Sequence, residues 1–165
     1  MNPNSTMIKW GRENAKYSIK QAAILLKCTV EEINSWEIGD ITPSFEILHL
    51  MAKTYNIPII VFFYEKAPKI EKNGCGGKGS WIKPPLKAFF KASCDKHDIG
   101  YSYGGDAARR MECDAKFLAF MLSDTLMIVG LFKRTYYQMW AFMYFFAVRI
   151  GGKKYFNYRD IDILD

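Results

Sequence analysis

The sequence predicts an all-α protein of two small domains, and three observations carry that expectation. Apolar residues recur at helical spacing along most of the chain, a Pro- and Lys-containing segment near Pro68 interrupts the pattern, and charge is divided unequally on its two sides. Residues 1–68 hold seven Lys/Arg and seven Asp/Glu, and residues 69–165 hold sixteen and ten, so the whole net charge of +6 belongs to the second part. With 165 residues, 50% hydrophobic and 16% aromatic, the chain is excluded from the disordered, collagenous and highly charged coiled-coil classes. An excess of cations confined to one part favours an anionic partner for that part, a phospholipid surface or a nucleic acid.

The first segment reads as a succession of short amphipathic helices. Ser18 caps a run in which Ala22, Ala23, Leu25 and Leu26 form an apolar face, and Thr29 with Glu32 is a capping box before Ile33 and Trp36. Gly39 stops that helix, and Pro43 and Ser44 open the next. Leu48, Met51, Ala52 and Tyr55 continue it to Asn56, and Pro58 starts a last apolar stretch, Ile59 to Phe63. Helices of two or three turns bury too little surface alone, so a compact five-helix cluster is expected.

The order A-A-x-L-L, a tight turn, I-x-S-W-E-x-G-D-x-x-P-S and then L-x-x-M-A-K-x-Y-N-I-P resembles the Cro/Xre-type helix-turn-helix family over residues 1–66. The resemblance implies double-stranded DNA as a partner, with the third helix, Thr29 to Trp36, entering the major groove. Base edges are read by Arg, Lys, Asn or Gln, whereas this helix offers Glu31 and Glu32 with Asn34 and Ser35 as its useful polar groups. Trp36 suits the core. Ser18, Lys20 and Gln21 are the better candidates for phosphate contact. The module is most similar to those preceding some metallopeptidase-type regulators and antitoxins, but no H-E-x-x-H follows it.

After a linker at 67–73, the second segment opens with Gly74-Cys75-Gly76-Gly77-Lys78-Gly79, whose glycines let backbone carbonyls turn inward. Such loops serve anions or cations. The spacing is not that of a P-loop, and a calcium loop completed by a carboxylate from elsewhere is compatible with it. Pro84 and Pro85 start a predicted helix carrying Cys94, His97, Asp98 and Tyr101, and Cys94, His97 and Tyr101 fall on one face. Gly104-Gly105 breaks it. A second helix runs through Met111, Cys113, Asp114, Phe117 and Met121, and antiparallel packing of the two lets Asp114 meet His97. Four cysteines without paired C-x-x-C spacing exclude a structural zinc site and a disulfide-dense scaffold.

The run Cys94-x-x-His97-Asp98-x-x-Tyr101, Gly104-Gly105 and Cys113-Asp114-x-x-Phe117, preceded by the Cys-Gly-rich loop, resembles the secreted and viral phospholipase A2 superfamily over residues 74–121. The resemblance implies His97 as the general base on water, Asp114 as the group that fixes its tautomer, and Tyr101 as a hydrogen-bond donor to Asp114. It implies Ca2+ as cofactor, held by Asp98 and the carbonyls of Gly74, Gly76 and Lys78. It also implies a Cys75–Cys94 bridge from the loop to the catalytic helix, which would form in an oxidising compartment. The sequence departs from the family at Ser93, where a paired cysteine would stand, at Gly100, where another cysteine would, and at Lys78, in place of a loop glycine. Cys113 is left without its usual partner, and it and Cys28 read as buried apolar residues.

Met127 to Phe132 and Met139 to Val148 are apolar runs separated by Lys133 and Arg134, each shorter than a bilayer span. They read as core helices finishing the second domain, or as an interfacial surface with Trp140 and Tyr144 at headgroup level. The tail from Gly151, with Tyr155, Phe156, Tyr158 and Ile161, reads as extended chain over the core. Met1 to Trp10 is polar with no apolar signal core, so synthesis in a cytoplasm is expected, with membrane-surface association or release by lysis as routes to lipid.

The chain is therefore expected to join a helix-turn-helix domain at 1–66 to a phospholipase A2-like domain at 74–165 built on two antiparallel core helices. The expected function is calcium-dependent hydrolysis of glycerophospholipid acyl esters. The competing class is a DNA-binding transcriptional regulator or antitoxin-like protein whose lipase-like part is an inactive sensor or interaction surface. A third reading is a membrane-disrupting helical hairpin. A phage or mobile-element product would account for the combination, as would an artificial fusion.

Overall fold

A computed structural model describes residues 2–76 and 84–158, which form two compact units divided between Pro68 and Lys69. Among these residues the only pairing outside helices is an isolated bridge between Gly105 and Tyr158. The all-α expectation holds.

Unit 1 contains α1 (Ser5–Asn14), α2 (Ile19–Leu26), α3 (Val30–Ile38) and α4 (Phe45–Tyr55). Its boundaries are set by local chemistry. Ser18 and Thr29 form capping boxes with Gln21 and Glu32, and Ser44 accepts from the Ile47 amide. Lys27, Gly39 and Asn56 end their helices in the left-handed conformation. The expected fifth helix is a 3-10 turn, Ile59–Phe63, because Pro58 starts an apolar run too short for more than one tightened turn. That turn still closes the core, where Val61 and Phe62 are fully buried with Ile8, Leu26, Ile33 and Met51.

One buried ion pair ties α1 to α3. Arg12 donates from Nε to Glu37 Oε1 at 2.6 Å and from a second nitrogen to Glu37 Oε2 at 2.9 Å, and also bonds the Tyr17 carbonyl at 2.8 Å. The bond that Arg12 donates to Glu37 raises the Arg12 pKa against the opposing effect of burial. Both side chains are less than 9% exposed, so loss of either partner strands the other's charge. Arg12→Met is expected to destabilise unit 1 by about 3–5 kcal/mol. Arg12→Met/Glu37→Leu recovers much of that loss in urea titrations of the full chain. An unchanged midpoint in the single variant would contradict this role.

Unit 2 contains α5 (Lys91–Tyr103), α6 (Ala107–Thr125) and α7 (Leu131–Gly151), with α6 packed on both neighbours. A 3-10 turn, Gly152–Tyr155, follows α7. Three expectations are corrected here. First, α5 does not start at Pro84-Pro85: Leu86 takes φ +56°, outside the right-handed helical region, and the regular helix begins only at Lys91. Second, the two apolar runs of the last third are not two helices. The break falls at Gly130, with φ +95°, so Lys133 and Arg134 sit in the first turn of one 21-residue helix. Third, residues 69–73 are not a free linker, because the Glu71 amide bonds Ser102 Oγ and the Asn73 amide bonds Asp98.

Phe90, Cys94, Phe117, Met121, Ala141 and Tyr144 make the core of this unit. Tyr144 donates to the Pro85 carbonyl at 2.7 Å, and burial pushes its phenol up to about 12. Only Ala141 and Tyr144 of α7 are buried among apolar neighbours, so α7 is half core and half surface. Gly104 must be glycine: its φ is +71°, and a Cβ there would lie 2.0 Å from the Asn157 carbonyl oxygen. That approach lets the tail fold back, with Phe156 buried edge-on to Tyr101 at 5.1 Å between ring centroids. The tail beyond Tyr158, including Ile161, lies outside the described residues.

Candidate functional site

Helix periodicity brings the chemistry of unit 2 together. His97 and Tyr101 are one turn apart on α5, and α6 runs against that face so that Asp114 lies between them. His97 Nε2 is 2.9 Å from Asp114 Oδ1, and the Tyr101 hydroxyl donates to the same oxygen at 2.6 Å. Arg149, from α7, donates to Asp114 Oδ2 at 2.8 Å, and Arg110 Nε stands 3.9 Å from that oxygen. Asp114 is wholly buried.

Burial alone would raise the Asp114 carboxyl. The bonds from His97, Tyr101 and Arg149 outweigh it and hold the group below its ordinary value. Conversely, burial first, and the bond to Asp114 next, push the Tyr101 phenol up, so it stays a donor. An ionised carboxylate only accepts hydrogen bonds, so a neutral His97 donates from Nε2 and keeps its lone pair on Nδ1. The imidazole is clamped between rings, stacked on Phe117 at 4.5 Å and tilted against Tyr101 at 4.1 Å. Gly152 closes the far side, since a Cβ there would come within 2.7 Å of the Tyr101 hydroxyl.

Arg110 and Arg149 were not visible as functional residues in the sequence. Arg110 donates to the carbonyls of Val148 and Arg149, satisfying the exposed end of α7. Arg149 is 35 residues from Asp114, in an otherwise apolar stretch, and no local spacing links them.

Asp98 faces the loop. Its Oδ2 accepts from the amides of Asn73 at 2.6 Å and Gly74 at 2.8 Å, and Oδ1 accepts from no described residue. Burial raises the Asp98 carboxyl and the two amides draw it only partly back. A half-buried carboxylate with one oxygen unused suits a hard cation. Among the described residues no three His, Cys, Asp or Glu side chains cluster as ligands, so a cation here would rest on one carboxylate and backbone carbonyls. Gly74 and Gly76 have φ of +67° and +121°, and Lys78 lies outside the described residues. Cys75 and Cys94 form a disulfide that joins the loop to α5. Cys113 is a free, buried thiol raised by burial, and a Cβ at Gly100 would lie 3.0 Å from its sulfur. Cys28 is half-buried and also free.

His97, Asp98, Tyr101 and the Gly74–Gly76 backbone line a cleft of about 650 Å³, walled on its apolar side by Phe117, Tyr144, Ala147 and Val148. A cleft of this size with a few converging polar groups has the general form of a ligand site.

In unit 1, the side-chain oxygens of Ser18 and Gln21 are engaged in the cap: Ser18 Oγ accepts from the Gln21 backbone amide, and Gln21 Oε1 accepts from the Ser18 amide and hydroxyl. Glu32 is likewise committed to Thr29, which accounts for one acidic residue on α3 as a capping group. Lys20 and Asn34 are exposed, and Ser35 is partly exposed.

The Asp114 network sets a pH prediction. A carboxyl depressed on folding adds stability that is present above its unfolded value of about 3.9 and is lost as pH falls through the folded value. In a carbon-detected NMR titration, Asp114 is expected to ionise below free Asp in the wild type and higher in Arg149→Met. Identical titrations would remove Arg149 from the network.

Residues 8–62, from within α1 to the closing 3-10 turn, match a family model described as helix-turn-helix, which supports reading unit 1 as a helix-turn-helix module. No curated protein and no solved structure matches the chain.

Proposed function

We propose that this helix-turn-helix chain carries a phospholipase A2-type hydrolase in unit 2, acting on acyl esters of glycerophospholipids. The observation that supports it is the pairing of His97 with a wholly buried Asp114 beside a cleft walled in part by apolar side chains.

In this reading His97 Nδ1 takes a proton from water as the water oxygen attacks the ester carbonyl carbon. Asp114 stabilises the imidazolium that forms, and Tyr101 and Arg149 hold Asp114 in place. The tetrahedral intermediate collapses, the carbon–oxygen ester bond breaks, and the departing alkoxide recovers the proton from His97. A fatty acid and a lysophospholipid result. Asp98, with the carbonyls of Gly74, Gly76 and Lys78, would hold Ca2+, which when bound supplies positive charge to the ester carbonyl. Phe117, Tyr144, Ala147 and Val148 offer an acyl chain a dry wall. The Cys75–Cys94 bridge fixes the loop beside α5, so the site suits an oxidising compartment.

A second reading is favoured by the helix-turn-helix match: a DNA-binding regulator or antitoxin-like protein in which unit 2 is an inactive sensor or partner surface. The two readings separate in one pair of assays. Fatty-acid release from phospholipid vesicles is expected to require calcium and to fall by roughly 10²–10⁴-fold in His97→Ala. Absence of release from folded, oxidised protein, together with DNA affinity that falls steeply with salt and weakens in Lys20→Glu, would instead establish the regulator.

A further inference from the structure

α7 presents an unpartnered stripe that neither the cleft nor the core uses. Phe132, Tyr136, Met139, Met143, Phe146 and Ile150 recur at spacings of four, three, four, three and four, which sets them in one line along the helix. Phe132 and Ile150 are 92% and 83% exposed, and the other four lie between 48% and 56%. The turn before the helix adds Met127 and Val129, 88% and 91% exposed. The line is about 27 Å long at 1.5 Å per residue. An apolar surface of that extent on a folded unit marks an interaction face.

Charge decides between occupants. α7 contains Lys133, Arg134 and Arg149 and no acidic residue, and Lys153 and Lys154 follow it. A seam of this spacing would pair with a second copy only by bringing cations together. Arg134 is bonded to the Ile128 carbonyl and Arg149 to Asp114, so parallel helices set Lys133 beside its own equivalent, and antiparallel helices set it against Lys153 and Lys154. Neither arrangement supplies the opposite charges that normally flank such a seam. An anionic lipid surface supplies them at both ends while accepting the aromatic and methionine side chains between. Among the described residues no helix is long and apolar enough to cross a membrane, so α7 would lie in the interface plane.

The C-terminal end of the stripe adjoins residues that line the cleft. Ala147, Val148 and Gly151, from the same end of α7, line it, and Phe146 and Ile150 stand beside them.

We infer that the exposed face of α7 docks unit 2 on an anionic phospholipid surface, with the helix parallel to the membrane and its C-terminal end bringing the cleft to the lipid. The inference rests on the hydrolase reading for the use of that cleft, but docking itself needs no hydrolysis.

The test is co-sedimentation of the full chain with vesicles of ether-linked lipids, which contain no ester to cleave, made of phosphatidylcholine alone or with phosphatidylglycerol. Wild type and His97→Ala are expected to bind the anionic vesicles equally, and the neutral ones less. Phe132→Gln/Met139→Gln/Met143→Gln changes no charge and touches no cleft residue. It is expected to bind at least roughly tenfold more weakly with unchanged helical circular dichroism. Equal binding by the folded triple variant would overturn the docking face. So would a wild-type dimer in sedimentation that the triple variant abolishes, with no vesicle binding, since a second copy would then cover α7. A protein that releases no fatty acid yet binds vesicles through α7 supports the docking face while sinking the hydrolase reading.

Discussion

Asp114 is a carboxylate with no access to water, and unit 2 is organised around making that tolerable. An isolated buried carboxylate costs several kcal/mol and would ordinarily take up a proton. Here two helices send three donors to it: His97 and Tyr101 from α5, and Arg149 from α7. Packing of α5, α6 and α7 is therefore coupled to one ionisation state. Arg110 strengthens the coupling from α6, since its guanidinium bonds the last carbonyls of α7 and approaches both Tyr101 and Asp114. The same constraint fixes the chemistry of His97. Facing an anion on one side and rings on two others, the imidazole has one tautomer and one orientation available.

Unit 1 uses the same device for a different end. The Arg12–Glu37 pair joins the first helix to the third, so the helix-turn-helix elements are positioned by a buried ion pair as well as by apolar packing. Its capping boxes consume side chains that could otherwise approach a phosphate. The exposed groups left on α2 and α3 include Lys20, Glu31 and Asn34, a face whose named charges cancel.

Much of the architecture was legible because it is written in local chemistry. The caps at Ser18, Thr29 and Ser44 and the stops at Gly39 and Asn56 are set by residues within one turn of each other, and each marks an observed boundary. The meeting of His97 and Asp114 follows from two helices packing antiparallel across the Gly104-Gly105 break, whereas the bond from Tyr101 to Asp114 was expected only from the resemblance to phospholipase A2. Illegible features depend on tertiary context. Leu86 adopts a left-handed conformation that its residue type disfavours, and α5 starts at Lys91, six residues beyond the second of the paired prolines. Lys133 and Arg134 look like a separator but lie in the first turn of α7, because Gly130 makes the break. Arg149 reaches Asp114 across a gap in sequence that no periodicity spans, and Arg12 and Glu37 meet over 25 residues.

The buried carboxylate of Asp114 decides which nitrogen of a neutral His97 keeps its lone pair and can act as a base. Nitrogen-15 NMR of the imidazole, recorded on oxidised protein with the ring neutral, tests it directly. The account predicts a proton on Nε2, protected from exchange and shifted downfield by its bond to Asp114, and an unprotonated Nδ1. In Asp114→Asn that Nε2 proton loses its downfield shift and its protection. A neutral His97 protonated on Nδ1, or an Nε2 proton unaffected by Asp114→Asn, would contradict the account.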